Sequence, residues 1–382
     1  MSDDLAELHD ELRSVARDLL ARQGDGAAST NPSAVDWALL ADAGWLGLEV
    51  PERLGGAGAS FAEVGVVLEE LGRAVTLSPY LGTVVLGVGA LLAVEPRDAT
   101  DHLLRRVAAG DALLAVALVD GAVEPVADTT PFALTTMSGG LRLDGRADLV
   151  PDVSRSTLLL VLASDPGGDP VLVEIAPDGE GVTVTEEVVL DTTRHLGSVV
   201  ADGAAVGPDA VLRLAGDPQT AAARLLDRAA LAVAFDSLGV ARAMLDATVE
   251  YVKVRHQFGR AIGSFQAIKH ACADLLVEVT VADELVRQAT DAVVAGDPEA
   301  GTAVSMAKAR TSDLGVAVAG EALQLHGGIG YTWESGIHAY LKRAALDRSM
   351  FGSPVAHRRR IATRYRPDGP VGSPDTQGGH HV

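Results

Sequence analysis

Two short stretches in the C-terminal half of the chain decide the fold. The first reads R-H-Q-F-G at residues 255–259 and continues as I-G-S-F-Q at 262–266, and the second reads Q-L-H-G-G-I-G-Y-T at 324–332. The first stretch places a fixed cation, an amide and an aromatic ring at the end of a helical stretch, 225–254, that is apolar on nearly every face. Such a helix is predicted to lie inside a helical bundle or at an oligomer interface.

The residue types in both stretches suit a phosphate-bearing ligand. Arg255 presents several donors in a rigid fork that matches phosphate oxygens. Glycines such as Gly327 and Gly328 lack a Cβ, so the backbone can approach a cofactor closely. Taken singly, an Arg beside a Gly after a helix indicates a solvated cap, and Gly-Gly-x-Gly indicates a turn. The order and separation of the two stretches together favour a binding site.

Together the two stretches resemble the signature of the acyl-CoA dehydrogenase family. In that family the first motif reaches across a subunit interface to the pyrophosphate and flavin of FAD, and the second approaches the adenine end of a neighbour's FAD. Residues 37–58, which read W-x-x-L-x-x-x-G-W-x-G-L-x-V-P-E-x-x-G-G-x-G, extend the resemblance to the family's N-terminal helical domain. The resemblance implies that FAD is contacted by Arg255, Gln257, Phe258, Gln324, Gly327 and Gly328.

The pattern of apolar residues divides the chain into four parts. Residues 1–112 show helical spacing of apolar residues, and residues 113–215 contain seven short β-rich runs separated by Gly, Asp and Pro. Residues 216–366 are helical again, and the Pro/Gly-rich segment 367–382 is predicted to be a disordered tail.

These parts predict an α+β fold. It has an N-terminal helical domain, a central antiparallel β-barrel or sandwich and a C-terminal four-helix bundle, and the resemblance implies the same architecture. The bundle includes further long helices predicted at 266–295 and 301–325. The β-rich runs are too closely spaced for crossover helices, which favours antiparallel strands.

Composition and charge exclude several classes of function. The formal net charge of −21 argues against nucleic acid or an anionic membrane as a partner. The longest apolar run, 81–94, is too short to span a bilayer, and no secretory signal pattern opens the sequence, so we expect a cytoplasmic enzyme. Cys272 is the only cysteine, which excludes an intrachain disulfide and a Cys-based metal cluster. No metal site is expected.

The reaction of the family needs a carboxylate that removes the α-proton of the acyl-CoA thioester. In many members this base is the Glu of a Y-E-G-T motif, and Phe351 stands at the corresponding position here. Other members carry the base on the first long helix of the C-terminal domain, at a position that matches Ala229. Asp236, seven residues further and on roughly the same helical face, is therefore the candidate base, and Asp227 serves only if the alignment shifts by two residues.

The central domain departs from the family as well. The usual T-E-P-x-A-G-S loop and W-I-T strand, which hold the isoalloxazine ring, are not recognisable, because residues 120–125 read D-G-A-V-E-P and residues 146–152 read R-A-D-L-V-P-D. The motifs that serve a neighbour's FAD are present. In this asymmetry the chain resembles the non-catalytic partner subunit of bacterial heterotetrameric, steroid-type acyl-CoA dehydrogenases.

Two alternatives stay open: a self-sufficient homo-oligomeric dehydrogenase that uses a base such as Asp236, and a non-catalytic scaffold subunit. Intact Arg255, Phe258 and Gln324 count against the scaffold. The expected partners are an acyl-CoA substrate, a paralogous dehydrogenase subunit or a second copy of the chain, and an electron-transfer protein or other acceptor. Because coenzyme A is a polyanion, its site needs local cations, and the basic run at 342–360 is a candidate beside the simpler interpretation of a solvated helix face.

Overall fold

Helices precede and follow a central β-sheet in a computed structural model that describes residues 3–23, 34–120 and 130–365. The predicted tail at 367–382 and most of the loop at 120–125 lie outside the described residues. The helices before the sheet are α1 (Asp3–Gln23), α2 (Trp37–Asp42), α3 (Phe61–Arg73), α4 (Gly89–Leu92) and α5 (Asp98–Ala108).

The apolar run at 81–94 forms a buried helix. A π-helix, Leu81–Val88, leads directly into α4, and all residues of this run are buried from Leu81 to Leu91. Its apolar character is explained by burial on every side within the protein. None of the helices in the described ranges is long and apolar enough to cross a bilayer.

The central sheet has eight strands in the order β6-β7-β3-β2-β4-β5-β8, with β1 paired to β4. The strands are β1 (Leu114–Ala117), β2 (Phe132–Met137), β3 (Gly140–Pro151), β4 (Leu158–Ser164), β5 (Pro170–Ile175), β6 (Val182–Glu187), β7 (Leu196–Val206) and β8 (Val211–Arg213).

The pairing of this sheet differs from the all-antiparallel arrangement expected from the sequence. Both β1 and β2 pair parallel with β4, whereas the other pairs are antiparallel. Close spacing excludes parallel pairing only between strands that are neighbours in sequence, and β4 follows neither β1 nor β2 directly. The edge strands β6 and β8 do not pair with each other among the described residues, so the sheet is not a closed barrel.

Strand β4 is buried on both faces. Leu159 and Val161 point into a core inside the β domain, and Leu160 and Leu162 join the main core shared with the helices. This explains the continuous apolar run in the sequence, since alternation is lost when neither face meets water.

The helices after the sheet are α6 (Pro218–Val254), α7 (Gln266–Val294), α8 (Ala300–His326), α9 (Ile337–Asp347) and α10 (Pro354–Arg364). Between α6 and α7 lies a hairpin of two short strands, β9 (His256–Gln257) and β10 (Arg260–Ala261). The predicted fold of helices, central β structure and helical bundle is therefore confirmed, with three long and two short helices in the bundle.

Helix α6 is buried in the bundle, as its apolar faces predict. It begins at Pro218 behind Asp217, whose carboxylate accepts a hydrogen bond from the N–H of Thr220 at 2.9 Å. Its contact with α3 is close, because a Cβ added to Gly239 would lie 2.0 Å from the carbonyl oxygen of Glu69. Glycine at this position therefore lets the two helix backbones touch.

Candidate functional site

The first predicted motif lies on an exposed hairpin at the end of α6. Arg255 ends the helix in an extended conformation, and its carbonyl accepts a hydrogen bond of 2.8 Å from the N–H of Ile262. The turn between β9 and β10 consists of Phe258 and Gly259, whose φ angles are 52° and 77°. The Phe258 side chain is 90% exposed, and Arg255 and Gln257 are exposed as well. An aromatic ring held outward on a left-handed turn is available to a molecule outside this chain.

The second predicted motif lies at the end of α8. Gln324 is exposed in the last turn, and Gly327 ends the helix with a φ of 62°. A Cβ added to Gly327 or to Gly328 would meet no atom of the described residues within 4 Å. The space above this backbone is therefore open to a ligand or a partner.

The fold brings both motifs to the same end of the C-terminal helices. The ring of Tyr251, one turn before Arg255, stacks on the ring of His326, with 4.2 Å between centroids and 20° between planes. The Tyr251 hydroxyl also donates a 3.2 Å hydrogen bond to the carbonyl oxygen of His326. The six predicted FAD-contact residues therefore belong to two segments that the chain joins directly. Sequence reasoning missed this pair, because the two residues are 75 positions apart.

Arg255 differs from most of the basic run at 342–360 in its ion pairing. The guanidinium of Arg255 makes no ion pair or side-chain hydrogen bond with the described part of the chain. In the basic run, three arginines are held by carboxylates of the same chain: Arg348 and Arg358 by Asp313, and Arg360 by Asp227. These pairings reduce the positive charge that the run can offer to coenzyme A, although Arg348 and Arg358 share a single carboxylate. Asp227, the second candidate base, is likewise occupied.

Neither base position of the family carries an accessible acceptor. Ala229 is fully buried, and Phe351 is 8% exposed in the main core. The loop around Phe351 is fixed by its carbonyls: His357 Nε2 lies 3.0 Å from the oxygen of Phe351, and Lys308 Nζ donates at 3.1 Å to the oxygen of Gly352. Burial lowers the pKa of His357 to about 4 and the pKa of Lys308 to about 7.

The surroundings of Asp236, the base predicted from the sequence, weigh against that role. Its side chain is 1% exposed, and Arg343 donates to both carboxylate oxygens at 2.8 and 3.1 Å. Arg194 lies 3.1 Å from the same carboxylate. Burial alone raises the pKa of Asp236, but the two guanidinium groups outweigh this effect and hold the pKa well below its usual value. A weakly basic, enclosed carboxylate is poorly suited to accept the α-proton of a substrate.

Asp236 belongs to a buried ionic cluster, defined here as Asp191, Arg194, Asp236, Arg343 and Asp347. The cluster ties the β domain to the helices, because Arg343 on α9 also donates to the carbonyl of Thr193 at 2.8 Å. Burial, followed by the charge of Asp236, raises the pKa of Asp347 well above its usual value. The sequence did not indicate this cluster, since Arg343 and Asp236 are 107 positions apart.

Two family models match the chain. One is described as acyl-CoA dehydrogenase, N-terminal domain, and matches residues 2–111; the other is described as acyl-CoA dehydrogenase, C-terminal domain, and matches residues 219–365. Acyl-CoA dehydrogenase IpdE2 of Mycolicibacterium smegmatis is 34% identical over 332 residues, which cover 85% of this chain and 86% of the relative.

Solved structures give the same family. One chain of the ChsE4-ChsE5 complex from Mycobacterium tuberculosis aligns with a TM-score of 0.82 and 27% identity, covering 95% of this chain and 97% of that chain. A variant of the Tcur3481-Tcur3483 steroid ACAD (acyl-CoA dehydrogenase) aligns with a TM-score of 0.81 and 29% identity, covering 94% of this chain and 98% of that chain. Both names join two components.

Proposed function

The chain belongs to the acyl-CoA dehydrogenase family, and from that membership we propose that it completes the FAD site of a paralogous, catalytically active subunit. One contrast carries the proposal. The residues that match the family's FAD motifs are exposed at one end of the bundle. The two base positions, Ala229 and Phe351, are buried and hold no carboxylate, and Asp236 is enclosed by arginines.

The exposed residues fit FAD chemically. The guanidinium of Arg255, which has no ion-pair partner among the described residues, suits the pyrophosphate, where a charge-assisted hydrogen bond is strong. The Phe258 ring offers an apolar surface for the flavin, and the open backbone at Gly327 and Gly328 admits the adenine end. When bound, FAD supplies the hydride acceptor for α,β-dehydrogenation of an acyl-CoA thioester. This chain binds and orients the cofactor, and removal of the α-proton falls to a carboxylate of the paralogous subunit.

An exposed apolar strip on α7 supports an oligomer. Val277 and Val281 are 61% and 47% exposed and lie one turn apart on the same helical face, and Leu276, which is 57% exposed, adjoins Val277. Contiguous apolar surface of this kind is typical of protein interfaces. From the sequence, the apolar faces of α6 were compatible with an oligomer interface. Because α6 is largely buried within its own chain, α7 is the better candidate for that interface.

The two-component relatives support a heteromeric assembly in particular. The ChsE4-ChsE5 protein is described as a complex, and the Tcur3481-Tcur3483 protein as a steroid ACAD. By this likeness the proposal comprises a cytoplasmic heterotetramer with a paralogous subunit, a bulky steroid-type acyl-CoA as substrate and an electron-transfer protein as acceptor.

The test is the visible absorption spectrum of the purified chain, alone and after co-expression with each paralogous acyl-CoA dehydrogenase of its own genome. We expect the chain alone to be colourless, and one co-expressed pair to be yellow and to oxidise an acyl-CoA. A lone homo-oligomer with one flavin per chain and ordinary turnover would overturn the proposal. A stable complex in which FAD content does not depend on Arg255 would favour the scaffold alternative.

A further inference from the structure

Tyr251 and His326 join the two cofactor motifs, although neither residue is among the six predicted FAD contacts. Tyr251 is bound to the first motif through the backbone, since its carbonyl accepts the N–H of Arg255 at 2.9 Å. His326 immediately precedes Gly327 and follows Gln324 by two positions. The stacked rings and the 3.2 Å hydrogen bond therefore connect the Arg255 side to the Gln324 side.

His326 is itself held from several directions. Its Nδ1 lies 2.7 Å from the carbonyl oxygen of Ala322, one turn earlier on α8. The chain folds back over it at Gly330, where an added Cβ would lie 3.1 Å from the His326 Cβ and 2.6 Å from the Leu323 oxygen. These contacts hold the His326 ring in place at the helix end, and the Tyr251 ring stacks against it.

We propose that Tyr251 and His326 form a positioning pair that fixes the distance between Arg255 and Gln324 so that both contact one FAD molecule. This inference rests on the proposed function. A ligand gains the full benefit of a second contact only when that contact is already at the right distance, because ordering it on binding lowers affinity. Neither ring touches the cofactor in this proposal; each acts through its neighbour in the chain.

Two substitutions separate the ring contact from the hydrogen bond. Tyr251→Phe keeps the stack and removes only the hydroxyl, whereas Tyr251→Leu removes both. In the FAD-binding complex we expect Tyr251→Leu to raise the dissociation constant of FAD about tenfold and Tyr251→Phe to raise it less than about threefold. The dissociation constant is measured by titrating the flavin-free complex with FAD and following flavin fluorescence.

Tyr340 provides a matched control. Its hydroxyl also donates to a backbone carbonyl, that of Arg73, at 3.1 Å, but it joins α9 to α3. Tyr340→Leu and Tyr340→Phe should lower the melting temperature as much as the Tyr251 variants while leaving FAD affinity unchanged. If the Tyr340 variants lose as much FAD affinity as the Tyr251 variants, the effect is a general one on folding, and the inference is overturned.

A double-mutant cycle with Arg255→Ala decides whether Tyr251 acts through Arg255. We expect Tyr251→Leu to weaken FAD binding much less in the Arg255→Ala background than in the unsubstituted chain. Full additivity would overturn the positioning role while leaving the proposed function intact. If Arg255→Ala alone has no effect on FAD affinity, the proposed function fails and the inference fails with it.

Rescue at His326 keeps the test decisive if Tyr251→Leu does not fold. His326→Phe retains an aromatic partner for Tyr251 and should bind FAD nearly as well as the unsubstituted chain, whereas His326→Ala should not. Amide hydrogen exchange at residues 255–262 gives a readout that does not depend on activity. It should accelerate in His326→Ala and not in His326→Phe. Loss of FAD binding in His326→Phe with unchanged exchange would overturn the proposal.

Discussion

The charge in the middle of α6 is buried and paired, whereas the charge at its end is exposed. Asp236 is 1% exposed, and its carboxylate is shared by Arg194 and Arg343. Arg255, at the end of the same helix, is exposed beside the 90% exposed Phe258 and has no ion-pair partner in the described part of the chain. A buried charge whose hydrogen bonds are all made contributes to the fold, and removing one partner is costly. An exposed cation among exposed apolar groups contributes little to the fold and is available for binding.

The largest expected effect lies in the interior. Arg343→Met leaves Asp236 and Asp191 without their main cation in a buried site, so the free energy of unfolding should fall by about 3–5 kcal/mol. Urea unfolding measures the loss. The control is Arg348→Met, which removes an exposed pair with Asp313 and should cost no more than about 1 kcal/mol. Similar losses for both variants would contradict the distinction between interior and surface charges.

The interior should also determine part of the pH dependence of stability. Burial raises the pKa of Asp152 from 3.8 to about 7, although its carboxylate accepts the N–H of Gly82 at 3.1 Å. The folded state thus holds this proton more tightly than the unfolded state, and stability is lost as the pH rises from about 4 to 7. At pH 8 the free energy of unfolding of Asp152→Asn should therefore be about 2–4 kcal/mol larger than that of the unsubstituted chain. Near pH 4 the two values should differ little.

Asp144 on the surface gives a control of opposite sign. Its hydrogen bond from Arg142 lowers its pKa, so its stabilising contribution is present above the unfolded pKa and is lost as the pH falls. In Asp144→Asn the difference from the unsubstituted chain should therefore shrink toward low pH. An Asp152→Asn variant that is less stable than the unsubstituted chain at pH 8, as Asp144→Asn should be, would contradict the burial argument.

The end of α6 is tested by Arg255→Ala. Loss of a charge-assisted contact with the pyrophosphate should weaken FAD binding by about 1.5–3 kcal/mol, measured as flavin content and FAD affinity of the complex. The free energy of unfolding should change by less than about 0.5 kcal/mol, because no partner in the described chain is lost. Arg105→Ala, which removes another exposed arginine on α5, should change neither quantity. Unchanged flavin content in Arg255→Ala would remove Arg255 from the cofactor site.

Asp236→Asn distinguishes a structural from a catalytic carboxylate. We expect the unfolding free energy to fall by about 1–3 kcal/mol, because two buried guanidinium groups lose an acceptor. The rate of acyl-CoA oxidation by the folded complex should stay within about threefold, whereas loss of a general base lowers it by a factor of about 100 or more. A loss of that size with the flavin spectrum intact would restore Asp236 as the base.

The sequence predicted what is local. Helical spacing predicted α6, α7 and α8 to within a few residues, apart from the earlier start of α6 at Pro218. The two motifs that resemble FAD contacts of the family could be recognised because each is continuous in the chain. The strand β8 (Val211–Arg213) was missed, since three residues give too little alternation to detect.

What depends on distant pairing was not predicted. The surroundings of Asp236 were not foreseen, because helical periodicity places the residue on a face but does not identify the arginines, one from α9 and one preceding β7, that surround it. The parallel pairing of β1 with β4 was not predicted for the same reason. Such contacts join residues that only the folded chain brings together, and a single sequence gives no signal for them.

The smallest expected effect on stability, and a sharp test of the open end, comes from two glycines of one motif. A Cβ at Gly328 meets no atom within 4 Å in the part of the chain that the structure describes, whereas a Cβ at Gly330 would lie 2.6 Å from the Leu323 oxygen. Gly330→Ala should therefore destabilise the chain by about 1–3 kcal/mol, and Gly328→Ala should change the unfolding free energy by less than about 0.5 kcal/mol. If FAD lies against this backbone, Gly328→Ala should nonetheless bind FAD more weakly in the complex, since the methyl group occupies space that the cofactor needs. Unaltered FAD affinity in Gly328→Ala would mean that the open space at the end of α8 is not part of the cofactor site, and that the contrast between interior and end rests on the Arg255 hairpin alone.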